Sequence, residues 1–207
     1  MKRQKAFTLI ELLIVIAIAT IIAGGLVPLF STTKQDAKLA KFVSLVDTLR
    51  DACMRYYFDT GEYAREDGDS SASCPNADRN LSCNYGVADW DGPYLNRPLA
   101  EEDNPFYSSM QLGLSFVATA YASALPSTPP SIIVDNVLLG FDIDGNGSFE
   151  HTGYGNQVAV AIGSDTIARK INDAIDKGVD GNDWMSRGRV RYLAADDTVV
   201  IYLFSGN

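Results

Sequence analysis

An apolar run from Phe7 to Phe30, interrupted by one charge, Glu11, constrains this chain more than any other feature. Roughly 20 apolar residues cross a bilayer core as a helix, and the run reaches that length. A carboxylate inside such a helix costs about 2.5–3.5 kcal/mol on insertion scales, so its presence asks for a function. Met1-Lys2-Arg3-Gln4-Lys5-Ala6 stands in front. That leader is too short for a secretory signal, and no small-residue cleavage site follows the apolar region. Its cations hold the N-terminus in the cytoplasm and leave the remainder on the far side. A plain signal anchor would satisfy the hydropathy but gives no reason for Glu11.

Lys5-Ala6-Phe7-Thr8-Leu9-Ile10-Glu11-Leu12-Leu13 resembles the processing site of type IV pilins and of the pseudopilins of type II secretion. The resemblance implies a prepilin peptidase that cuts between Ala6 and Phe7 and methylates the new amine. It also implies that Glu11 meets the freed Phe7 amine of a neighbouring subunit in a polymer. The family usually has glycine before the cut; Ala6 is the next smallest side chain. Gly24, Gly25 and Pro28 predict a kink or local melting around 24–28, because proline removes a donor and crowds the carbonyl four residues back. Pilins carry a proline at similar depth, which implies a segment that loosens on assembly; a tolerated membrane-helix kink is the alternative.

The 207 residues leave room for the anchor and one soluble domain of about 150 residues. The formal charge is −9, and loss of Lys2, Arg3 and Lys5 takes it to −12. An acidic exterior argues against nucleic acid held on a general basic surface. Cysteines stand at 53, 74 and 83, allowing three pairings. Beyond the inner membrane a disulfide persists. Cys74 and Cys83 enclose a polar loop whereas Cys53 falls on an apolar helical face, which favours Cys74–Cys83. The spacing is not that of a zinc site, and His151 is the sole histidine.

From Lys34 to about Phe58, Leu39, Phe42, Val43, Val46, Leu49, Cys53, Tyr56 and Tyr57 recur at helical spacing with charges between them. A helix from Phe7 to Phe58 would be about 78 Å long at 1.5 Å per residue. Residues 59–110 read as irregular. Within them Asp59-Thr60-Gly61-Glu62-Tyr63 resembles the turn that ends the pilin helix. Trp90-Asp91-Gly92-Pro93-Tyr94-Leu95 resembles an element of major pseudopilins, although a turn with buried aromatics explains it equally well. Residues 111–125 are too short and polar for a second span, and Ser127-Thr128-Pro129-Pro130 reads as a turn. Ile132–Phe141, Gln157–Ile162, Arg189–Leu193 and Val199–Phe204 read as strands, the last two as a hairpin. Asp165 to Lys177 reads as a helix with Ser164 as N-cap and Gly178 as stop. The predicted class is α+β: a long N-terminal helical spine, half transmembrane and half amphipathic, packed on a small antiparallel sheet. The predicted division is a leader over 1–6, a transmembrane helix over 7–30, its amphipathic continuation over 31–58 and a periplasmic or extracellular domain over 59–207.

Asp142-Ile143-Asp144-Gly145-Asn146-Gly147 opens like a calcium loop, with oxygen donors at alternate positions and glycine for the sharp turn. Asp142, Asp144, Asn146 and Glu150 are the candidate ligands. The bidentate glutamate of an EF-hand is missing, since Gly153 holds that position; an acidic turn without an ion is the alternative. No nucleophile elbow, phosphate loop or dinucleotide fingerprint is present, so the chain reads as a structural subunit and not an enzyme. The resemblance implies a homopolymer with related pilin-like subunits, a prepilin peptidase, an inner-membrane assembly platform with a cytoplasmic ATPase, and storage in the inner membrane. A type II secretion pseudopilus is the expected filament, leaning on Trp90–Leu95 and the acidic loop. A pilus for adhesion or motility is the near rival, and an anchored periplasmic binding protein or enzyme the remote one.

Overall fold

The computed structural model describes residues 8–67, 74, 79–100, 103–106, 132–138, 141–144, 148, 154–162, 164–177, 184–185, 187–194 and 197–206, with backbone alone for 23–32, 67, 132–133, 135–138 and 154. Helix α1 spans Leu9–Thr60, followed by β1 (Glu66–Asp67), β2 (Ile132–Leu138), β3 (Tyr154–Ala161), α2 (Asp165–Asp176), β4 (Val190–Leu193) and β5 (Thr198–Phe204). The chain divides into two compact units, one ending at Lys38 and one running from Leu39 to Asn207.

In the first unit, α1 runs unbroken through Gly24, Gly25 and Pro28. Of the expected kink or local melting at 24–28, the single subunit shows no melting, because a proline deletes only one donor and the flanking backbone bonds continue the helix. From Leu9 to Ile22 the large apolar side chains are exposed on every side, between 50% and 79%. A helix apolar all round needs lipid or other helices against it. Among the described residues no helix is long and apolar enough to cross a membrane.

In the second unit, Phe42, Val46, Leu49, Cys53 and Tyr56 are fully or almost fully buried. Their alternating spacing of four and three keeps them on one helical face. The helix ends at Thr60 rather than Phe58, where Gly61 takes φ 74° and its N–H reaches Tyr57 O at 2.8 Å. Only a residue at ease in the left-handed region closes a helix in this way.

The sheet has order β1-β2-β3-β5-β4, and all its pairs are antiparallel. Its register aligns Val134, Val158, Ile201 and Val190 in a row across four strands, all with no exposure. That row packs with Phe42–Tyr56 of α1 and with Ala168 and Ile171 of α2 in one core. A slip of one residue would turn the whole row outward. On the opposite face a smaller cluster of Phe141, Ala159 and Val200 forms under Ile143, Leu193 and Tyr202. Each later element lies within a few residues of its expected position. Ser164 does stand at the N-cap of α2, but its side chain makes no cap bond; its backbone carbonyl accepts from Ile167 and Ala168 instead.

Two features of the unit were not expected. Residues 59–110 are not wholly irregular, for Glu66–Asp67 adds an edge strand paired to Ile133 and Val134. A register shift at Asn156 and Gln157 frees the Asn156 side chain to bond Ala64 at both its backbone groups, donating to O at 2.7 Å and accepting from N at 3.4 Å. A bulge re-aims a side chain in this manner. At the far edge Gly188 has φ 83°, and any Cβ there would run into the Asp176 carboxylate, which accepts Val190 N–H at 2.9 Å.

Candidate assembly site at the head of the first helix

Ala6 and Phe7 lie outside the described residues, but Thr8 and Glu11 are placed. Thr8 N–H and Thr8 Oγ1–H both donate to Glu11 Oε2 at 2.8 Å, while Glu11 N–H donates to Thr8 Oγ1 at 3.4 Å. This reciprocal arrangement is a capping box, in which threonine and the glutamate three residues on satisfy each other's orphan donors. The carboxylate also lies at the positive end of the helix dipole. Glu11 is thus held locally in the single subunit. Sequence reasoning used Glu11 only for its charge; the Thr-x-x-Glu spacing ahead of an apolar run was the available signal for Thr8.

The remaining candidates are dispersed. Cys74 and Cys83 form a disulfide with Cα atoms 5.8 Å apart. Cys53 is a free thiol inside the core, and burial pushes its pKa up. Trp90–Leu95 folds as an irregular segment that buries Tyr94 and Leu95 while Asp91 stays exposed. Trp90 Nε1–H donates to Asn80 O at 2.8 Å, and Tyr94 O–H donates to Asp59 at 2.8 Å. Arg55 donates to Tyr94 O at 3.0 Å, and the Tyr94 ring meets Tyr56 and Trp90 edge-on. Gly92 is needed there because a Cβ would strike the Trp90 indole.

Of the acidic loop, Asp142 is buried and Asp144 exposed; Asn146 and Glu150 lie outside the described residues. Asp142 faces Arg187, with Oδ2 3.8 Å from Nε, and its carbonyl accepts Gly188 N–H. Among the described residues no group of three His, Cys, Asp or Glu gathers as a metal site.

Comparison with known proteins decides the family. The prokaryotic N-terminal methylation motif matches residues 1–27, which includes Ala6, Phe7, Thr8 and Glu11. The fimbrial protein of Dichelobacter nodosus is 30% identical over 147 residues, covering 70% of this chain and 88% of that protein. The chain belongs to the type IV pilin-like family. A type IV major pilin protein PilE1 of Neisseria gonorrhoeae is 32% identical over 75 residues, 36% of this chain and 46% of that pilin. No solved structure matches. This pilin-like chain is a structural filament subunit rather than an enzyme, with its helix α1 and antiparallel sheet meeting in one core.

Proposed function

We propose that the chain is a prepilin, cut between Ala6 and Phe7, methylated on the new amine, and polymerised into a type IV pilus. One observation carries this reading: a relative that is named a fimbrial protein aligns over nearly its whole length. Until assembly the subunit sits in the inner membrane, with 7–30 as the spanning segment and the domain from Leu39 onward on the periplasmic side. The capped Glu11 then exchanges its local bonds for the Phe7 amine of a neighbour. An assembly platform in the inner membrane and a cytoplasmic ATPase supply the force.

The expectation of a type II pseudopilus leaned on Trp90–Leu95 and on the acidic loop at Asp142–Gly147. Trp90 bonds Asn80 and Tyr94 bonds Asp59 and Arg55 of α1, so packing accounts for that run as well as the resemblance does. Deleting the chain tests the choice. Loss of surface filaments with normal protein secretion supports the pilus; intact filaments with exoproteins stranded in the periplasm would establish the pseudopilus.

For the acidic loop we propose calcium held by Asp142, Asp144, Asn146 and Glu150. Alternating oxygens suit that ion, with Asp144 and Ser148 already facing solvent. Arg187 competes for the first carboxylate. Calcium is therefore expected to raise the melting midpoint, by more in Arg187→Gln than in the wild type. Calorimetry without binding at millimolar calcium in both proteins would reduce the loop to a turn.

A further inference from the structure

Glu66 is a carboxylate with no exposure at all, in the two-residue edge strand β1. Its Oε2 accepts the N–H groups of Leu81 at 3.2 Å and Ser82 at 3.1 Å. Its Oε1 accepts the Ser82 hydroxyl at 2.7 Å and Leu99 N–H at 3.4 Å. One side chain thereby pins two segments, distant from each other in sequence, to the sheet edge. Leu81 passes the constraint on, since its carbonyl accepts the N–H groups of Tyr94 at 2.8 Å and Leu95 at 3.1 Å. Tyr94 in turn holds Arg55 and Asp59 on α1.

The groups around Glu66 are suited to either protonation state. Three amide donors and the nearby Arg79 favour the anion, whereas complete burial favours the neutral acid. The Ser82 hydroxyl has a second acceptor, Arg79 O, at 3.4 Å. When Glu66 takes one proton from solvent, Ser82 can turn its hydrogen to Arg79 O and accept the new O–H without breaking the site. The titratable groups facing Glu66 are Arg79 from the turn and Cys53 from α1. Arg97 and Asp103, which flank Leu99, are paired with each other.

We propose that Glu66 is a proton-operated clamp that fastens the 79–99 segment to the sheet edge and the end of α1 more tightly when protonated. Burial raises its pKa above 4.5, outweighing the opposing Ser82 and Leu99 hydrogen bonds and the Arg79 charge. A raised pKa in the closed state means that closure takes up a proton. The added stability is full below the ordinary glutamate value and is lost as pH rises through the raised one. Opening would uncover Leu81, Tyr94, Leu95 and Leu99, all buried in the closed form.

The test is amide exchange on the full chain in detergent, corrected for intrinsic rates, together with carbon NMR of the Glu66 carboxyl. Asp176 is also raised by burial, so global melting would mix two groups and local amides are read instead. Protection of Leu81, Ser82 and Leu99, relative to Val158 and Ile201, should rise by up to about tenfold per unit as pH falls through the carboxyl titration. In Glu66→Gln it should be flat. A Glu66 carboxyl that titrates at or below 4.5, or the same pH dependence in Glu66→Gln, would overturn the clamp. If that variant does not fold, the wild type decides: coincidence of the carboxyl titration with the amide change supports the clamp, and separation of the two refutes it.

Discussion

Glu11→Ala is expected to enter the membrane normally and to yield almost no filament. Loss of the acid eases insertion by up to about 2.5–3.5 kcal/mol, while the helix head loses the acceptor of both Thr8 bonds. The decisive loss comes in the polymer, where a neighbour's buried amine would keep its charge without a partner. Breaking such a pair costs about 3–5 kcal/mol, and each 1.4 kcal/mol is a factor of ten. Filament yield should therefore fall by about two orders of magnitude or more. Glu11→Gln separates the two roles, because an amide oxygen still accepts from Thr8 but carries no charge. It should fail as Alanine does. Wild-type yield from Glu11→Gln would leave capping as the residue's whole contribution.

The second large effect is on stability. Phe42 has no exposure and meets Phe106 edge-on, with ring centroids 5.5 Å apart. Phe42→Ala should cost about 3–5 kcal/mol out of a typical total of about 5–15 kcal/mol. A fragment beginning near Lys34 contains the whole compact unit Leu39–Asn207 and allows urea titration without lipid. The midpoint should drop steeply at unchanged slope, and subunit levels in the membrane should fall with it. A loss below about 1 kcal/mol would mean that the site collapses around the cavity, and that this stripe does not anchor the sheet.

The parts legible in the sequence were those with a period. Phe42 to Tyr56 repeats at helical spacing over several turns, and Val158, Val160, Val199 and Ile201 alternate within short β-branched runs bounded by turn residues. These patterns follow from burying one face, so they survive in the sequence whatever the loops do. Glu66–Asp67 has no period to show, because two residues make an edge strand only through the partner that Val134 provides. In an acidic chain Glu66 also looks like one more solvated carboxylate, and nothing local marks it as buried. Asn156 depends on a register shift between distant strands, which a linear reading cannot register. At the assembly site the opposite holds: Thr8 and Glu11 stand three residues apart at the head of one helix, and their bond was written in the spacing.

Processing and polymerisation form the core of the account, and the mass of the subunit in sheared, purified filaments tests both together. The account predicts a chain that begins at Phe7, lacks the leader from Met1 to Ala6 and carries one added methyl group. Filaments built from subunits that retain Lys2–Ala6, or the complete absence of this chain from any filament, would contradict it.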